Sequence, residues 1–309
     1  NGTTYTDTFE FYWGVLAVNT KKSRYFPNEV VEFNVAALTD EGDTICDADL
    51  HLRVTSPSNE FYDVPVEQSG LCGKNNVTDV PDYLGRFDAT AEEGTYAIEI
   101  QHRNRDGEVV HKMVDSFVVT TDIPYDITRT APTRIYPPAP YEVSLEVKAY
   151  RDYEGAIVER VPRGFVITPE DEAALVVTMA DYTEIRWPAE SLKTGETKTY
   201  RYQFDAPDIS PYLYLLGPLD IDGYQELRQW QIASDALGAV GWFTGTRTIS
   251  GTNLNTTPSP LEWSTSTVDT YYFEHSTSTD KHQLTVRQAG DYFLAVNLPM
   301  ARTDGNASR

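Results

Sequence analysis

Apolar and polar side chains alternate along most of this chain, at the two-residue period of a strand with one face buried. Asp49 to Thr55 reads DLHLRVT, with Leu50, Leu52 and Val54 on one face, and Tyr141 to Tyr150 (YEVSLEVKAY) and Lys198 to Ala206 (KTYRYQFDA) repeat the pattern. Glu29 to Leu38 (EVVEFNVAAL) and Gly155 to Thr168 (GAIVERVPRGFVIT) also read as strand. Gly94 to His102 and Glu108 to Val119 flank Asn104-Arg105-Asp106-Gly107. Asp-Gly is the preferred pair of a two-residue type I′ turn, so a hairpin is expected with His102 facing His111, Ile100 facing Met113 and Tyr96 facing Phe117. Tyr212 to Pro218 and Tyr224 to Asp235 form a second expected hairpin around Asp222-Gly223. The competing reading is a helix over Tyr224 to Leu237, where Leu227, Trp230, Ser234 and Leu237 share a face.

Proline and composition divide the chain. Pro124, Pro132, Pro137, Pro138 and Pro140 crowd residues 123–140, which are expected to be a stiff connector holding two domains apart. From Gly238 onward Gly, Ser and Thr dominate, with aromatic islands between them. The expected organisation is therefore a β-sandwich over residues 1–122, the linker 123–140, a second sandwich over 141–236 and a β-rich module over 237–309. The fold class is all-β.

Short motifs carry resemblances to known families. Tyr25-Phe26-Pro27-Asn28-Glu29 before one strand and Gly94-Thr95-Tyr96 opening another resemble bacterial immunoglobulin-like and macroglobulin-like surface modules. Asn28 stands where glycine is usual, and asparagine tolerates the left-handed backbone. Val161-Pro162-Arg163-Gly164-Phe165, Trp187 and Gly195-Glu196-Thr197 resemble a second family of bacterial immunoglobulin-like repeats. Ala289-Gly290-Asp291-Tyr292 resembles a jelly-roll strand, in a segment too short for a whole jelly roll. Together these resemble tandem modules of large bacterial extracellular proteins, and they imply secretion, a surface location and no transferred catalytic residues.

Charge narrows the partners. With 47 acidic and 25 basic residues the net charge is -22, which repels nucleic acid, and no basic stripe offsets it. No apolar run approaches the ~18 residues of a membrane span. The start at Asn1 suggests a mature or excised fragment. Cys46 and Cys72 are read as a single disulfide of an oxidising compartment, against the alternative of two buried thiols. Asp40, Asp43, Asp47 and Asp49 cluster near Cys46 and are candidate ligands for calcium, as is Asp220-Ile221-Asp222-Gly223. The blander reading is Asp and Gly serving turns.

The remaining chemistry is sparse. Of the histidines at 51, 102, 111, 275 and 282, only His102 and His111 are expected to meet, as a cross-strand pair rather than a metal site. No nucleophile elbow occurs, and Glu170-Asp171-Glu172 reads as turn charge, so no catalytic residue is assigned. Trp242, Trp263, Tyr271 and Tyr272 are candidates for stacking on sugar rings. Asn1, Asn76, Asn255 and Asn306 head glycosylation sequons. The expected function is an extracellular structural protein of a cell-surface fibre, sheath or surface layer, self-associating into a homopolymer, with Asn1 to Asn19 as a donated strand. The alternative is an adhesin or carbohydrate-binding protein.

Overall fold

The computed structural model describes residues 15–236, 243–246, 265–268 and 273–286. It divides into two compact units, residues 1–237 and 238–309. Among the described residues every regular element is a strand.

The first sandwich is built from β1 (Val15–Thr20), β2 (Arg24–Tyr25), β3 (Val31–Leu38), β4 (Asp49–Thr55), β5 (Phe61–Val64), β6 (Val66–Gln68), β7 (Tyr83–Phe87), β8 (Gly94–Arg103) and β9 (Val109–Val119). One sheet has the order β1-β3-β7-β6 and the other β2-β9-β8-β4-β5. Val31, Phe33, Val35 and Ala37 from the first meet Leu52, Val54, Tyr96, Ile98, Ile100 and Phe117 from the second. Period-two alternation thus does what it should, placing one side of each strand in the core.

Turn chemistry sets the register. The β8/β9 hairpin pairs Tyr96 with Phe117, Ile100 with Met113 and His102 with His111, as the alternation requires. Its turn differs from expectation. Gly107 has positive φ but Asp106 does not, and Gly107 N–H donates to the Asn104 carbonyl over 3.0 Å. Asn104 Oδ1 accepts from the Asp106 and Glu108 amides, which draws the chain into a longer turn with a bulge beside His102 and Arg103. Ahead of β3, Phe26-Pro27-Asn28-Glu29 forms a turn closed by Glu29 N–H on the Phe26 carbonyl, with Asn28 at φ +68°. Pro27 and Asn28 occupy the two central positions that suit them.

The second sandwich contains β10 (Tyr125–Thr130), β11 (Arg134–Ile135), β12 (Tyr141–Ala149), β13 (Tyr153–Pro162), β14 (Val166–Pro169), β15 (Leu175–Thr178), β16 (Tyr182–Leu192), β17 (Thr197–Asp205), β18 (Tyr212–Leu216), β19 (Leu219–Ile221), β20 (Tyr224–Gln225) and β21 (Trp230–Ser234). Its main sheets run β10-β12-β17-β14 and β15-β16-β13-β19-β20, with a small third sheet β11-β21-β18. Trp187, Tyr202, Phe204, Val143, Leu145 and Ile157 fill the core. Asp222 and Gly223 both take positive φ and join β19 to β20. The hairpin reading of 212–235 holds only in part: β18 pairs with β21 in a different sheet, and no helix forms over 224–236.

The expected connector is corrected here. Residues 125–130 form β10, an edge strand on β12, and Arg134 and Ile135 form β11, paired in parallel with β21 and buried. The prolines flank these strands instead of occupying them: Pro124 precedes β10, and Pro132 falls between β10 and β11. Only residues 120–124 separate β9 from β10, and the two sandwiches pack directly.

In the second unit, β22 (Phe243–Thr246) pairs with β23 (Thr265–Val268), and β24 (Phe273–Glu274) with β25 (Thr285–Val286). The jelly-roll-like strand at 289–294 lies outside the described residues, as does the candidate donor segment 1–14. Residues 15–19 of that candidate are not free for donation, because they belong to β1 and are paired with β3.

Candidate functional site

The most constructed place in the molecule is the seam between the two sandwiches. All six residues of β1 are buried, although β1 is an edge strand. Leu16 and Val18 point into the first core, while Val15 and Ala17 join Ala36, Leu38, Ala233 and Leu213 in a separate apolar cluster across the seam. Strands buried on both faces lose their alternation. This is why Val35-Ala36-Ala37-Leu38 is a continuous apolar run.

Polar side chains close the open edge of β1. Asn19 acts as a substitute strand residue: its Nδ2 donates to the Gln231 carbonyl over 2.7 Å, and its Oδ1 accepts from the Gln231 amide over 2.8 Å. Gln231 Oε1 accepts from Val18 N–H over 3.0 Å. Arg228 Nη2 donates to the Val18 carbonyl, its Nη1 donates to Thr20 Oγ1, and the guanidinium also bonds Asp115. An exposed edge would invite foreign strands, and here the second sandwich occupies it.

The deepest polar contact centres on Arg134 of β11, which reaches back into the first sandwich. Its guanidinium grips Asp82 with two bonds of 2.8 and 3.0 Å and donates to Asp235 over 3.0 Å. The three side chains are between 0% and 2% exposed. Asp235 also accepts from the amides of Asn75, Thr44 and Ala236, and so ties the Cys46–Cys72 region to β21. Burial works against the charge on Arg134, but the bonds and attraction of Asp82, and the attraction of Asp235, outweigh it and hold the guanidinium above its ordinary value. Burial also lifts the Asp235 carboxyl above its usual range, against the pull of Arg134.

A second buried network lies within the second sandwich. Arg129 binds both Glu159 and Glu226, and Tyr202 donates to Glu159 over 3.0 Å. Burial raises the Glu159 carboxyl above its ordinary value. Its partners leave it no access to a substrate: Arg129, Glu159 and Tyr202 are each about 1% exposed or less.

The residues picked out from sequence fall elsewhere. Cys46 and Cys72 form the expected disulfide. Asp40, Asp43, Asp47 and Asp49 do not converge on a cation position. Asp40 lies 3.6 Å from His111 Nε2, Asp43 pairs with Lys74 and Asp49 with His51. In the second candidate loop Asp220 accepts from the Gly223 amide and from Gln225, so it serves the turn. Among the described residues no group of three His, Cys, Asp or Glu side chains is placed to hold a metal ion. Trp242, Trp263, Tyr271 and Tyr272 lie outside the described residues.

His102 and His111 do meet, Nδ1 to Nδ1 at 3.1 Å. Desolvation lowers both pKa values, and for His111 the neighbouring His102 lowers it further against the pull of Asp40. Glu170, Asp171 and Glu172 are exposed beside a shallow depression of about 360 Å³ that also contains Glu190, Lys198 and Arg201. Glu190 is bonded to Lys198 and Tyr200, and Glu170 pairs with Arg201 at 3.6 Å. Asn76 of the second sequon has its side chain tied to the Leu71 carbonyl and to Arg134. Sequence reasoning missed Asp82, Arg134, Arg228 and Asp235. The one trace they left is charge standing inside apolar runs, such as Arg134 beside Ile135.

No family model matches the chain, and no curated protein matches it. Among solved structures it is similar to a point mutant of Salmonella alpha-2-macroglobulin, with 14% identity, a TM-score of 0.28, and coverage of 75% of this chain and 15% of that one. It is similar to trypsin-activated alpha-2-macroglobulin from Escherichia coli, at 12% identity and TM-score 0.26, over 75% of this chain and 16% of that one. A Bacillus thuringiensis chitinase gives 11% identity and TM-score 0.21, over 65% and 28%. The chain therefore spans 15% to 28% of the length of these proteins.

Proposed function

We propose that this chain is a rigid structural segment of an extracellular surface assembly, a fibre, sheath or surface layer, joined to its neighbours through contacts between β-sheets. The observation that carries this reading is the seam. Two sandwiches that needed only to sit on one chain would be served by a short linker and a wet, mobile contact. Here the chain commits three charged side chains to a dry cluster and covers an entire strand edge, a construction suited to fixing an angle between bodies under load. The Cys46–Cys72 bond supports an oxidising location, since such bonds persist outside the cytoplasm.

Two measurements test the reading. Protease shaving of intact source cells should release peptides of this chain before cytoplasmic markers appear. Small-angle scattering of residues 15–236 should fit one fixed arrangement of the sandwiches across temperature. A chain found only inside the cell, or a scattering curve that requires a broad range of inter-sandwich angles, would overturn it.

A further inference from the structure

The strand β15 contrasts with the guarded edge of β1. It ends the sheet β15-β16-β13-β19-β20, and all four of its residues are exposed. Leu175 is 53% exposed, Val176 43%, Val177 37% and the adjoining Met179 37%. A run of β-branched and apolar side chains, open on both faces and along one edge, is what soluble proteins ordinarily avoid.

Backbone geometry shows which groups are free. Met179 N–H donates to the Tyr182 carbonyl over 2.8 Å, so residue 179 turns its polar groups toward β16. Along an antiparallel strand this direction alternates, so Leu175 and Val177 also face β16 while Val176 and Thr178 face outward. Ala174 N–H is already used by the Asp171 carbonyl, which closes the strand at that end. The outward donors and acceptors are therefore those of Val176 and Thr178.

Charge selects the occupant. At the start of β15, Asp171 and Glu172 are exposed and have no cationic partner among the described residues. At its other end, Arg163 donates to the Ala180 carbonyl over 2.9 Å and Arg160 lies over the Tyr182 ring at 5.1 Å. Neither arginine has a carboxylate partner among the described residues, and Arg160 Nε is buried without a hydrogen bond. Of the acids near that end, Glu184, opposite Val177 and Arg160, is already bonded to Arg186, which leaves Asp181 against two arginines. A two-fold axis turning one β15 antiparallel to another brings each acidic start against an arginine-bearing end, twice.

We propose that β15 is a self-docking edge: two copies of this chain pair their β15 strands antiparallel, Val176 opposite Thr178, and so merge two sheets into one. This rests on the assembly reading above and names one of its contacts. The register gives four backbone hydrogen bonds. It also sets Val177 against its own copy and Leu175 against Met179 on one face, extending a single apolar stripe across the axis.

The test is a sedimentation concentration series on the full chain with three substitutions. The wild type should dimerise. Val176→Pro removes an amide that β16 does not use and obstructs the edge, so dimers should be lost with the urea midpoint unchanged. Glu172→Arg should weaken association about tenfold, and Glu172→Arg with Arg163→Glu should recover it, since exchanging the signs restores both contacts. Val177→Cys should cross-link two copies on oxidation, whereas Leu84→Cys, exposed on the other sandwich, should not. A wild type that remains monomeric up to crystallisation concentrations, a dimer that survives Val176→Pro, or cross-linking equal at 84 and 177 would each overturn the proposal. Loss of this contact leaves the seam intact. Shaving and scattering results therefore judge the surface reading separately.

Discussion

Replacing Arg134 by Met tests the seam at its most buried point. The substitution keeps the length and most of the apolar volume of the side chain while removing the guanidinium. Two bonds to Asp82, one to Asp235 and one to Asn76 Oδ1 disappear together. The two carboxylates are not equally harmed. Asp235 keeps three amide donors, from Asn75, Thr44 and Ala236, whereas Asp82 has no other donor among the described residues. A buried pair broken from one side costs about 3 to 5 kcal/mol, because the remaining charge stays desolvated. Most of that loss should therefore sit on Asp82. Asp82→Asn in the Arg134→Met background should recover a large share of it, while Asp235→Asn should recover less. Urea unfolding of residues 15–236, followed by tryptophan fluorescence, measures the four corners of each cycle.

The same substitution predicts a pH signature. Without Arg134 the Asp235 carboxyl, already lifted by burial, loses the attraction that opposed the lift and rises further, so the folded chain binds the extra proton. Stability is then gained as pH falls through the raised folded value, and the gain is complete below the unfolded value near 4. The deficit of Arg134→Met relative to wild type should be smaller at pH 5 than at pH 8. A deficit below about 1 kcal/mol, or one independent of pH with no coupling between residues 134 and 82, would refute the seam as an energetic unit.

Two further outcomes follow from the first sandwich. Burial lowers the pKa values of His102 and His111 below their ordinary 6.5, so the unfolded chain takes up protons first on acidification. Stability is in place above that value and lost as pH falls through it. Asp40 beside His111, and Asp47 and Asp49 near His102, moderate the loss, and a His102→Gln, His111→Gln chain should show a flatter stability profile between about pH 7 and pH 5. Cys46 and Cys72 are 26 residues apart, and opening that loop with paired Cys→Ser substitutions should cost about 3.5 kcal/mol by the chain-entropy relation. A urea midpoint insensitive to reducing agent would count against it.

How much of this could be read from the chain depends on whether a signal is local. Alternation in residues 94–119 fixed a register that the structure reproduces pair by pair, because burying one face leaves no freedom to slip. The turn type is not legible from the Asp-Gly pair alone, because Asn104, two residues before Asp106, captures the amides of 106 and 108. Proline density in residues 123–140 predicts a spacer, because density is visible in sequence and placement between strands is not. Pairing of β11 with β21 spans about a hundred residues, and no window of sequence contains it.

The seam was hidden for the same reason, but its traces show how such a joint is encoded. Val35-Ala36-Ala37-Leu38 breaks the alternation where β3 meets apolar groups on both sides, with small residues that let another sheet approach. Arg134 stands in a two-residue strand beside a fully buried Ile135, where an unpaired guanidinium would be untenable. Neither feature belongs to an isolated sandwich with one wet face. Taken together, a doubled apolar run in one module and a charge committed to burial at the entrance to the next identify a fixed joint between them. β15 presents the opposite case, since Leu175 to Met179 also breaks alternation, yet its side chains remain in solvent. On the docking proposed for β15, the other half of that joint is a second copy of the chain.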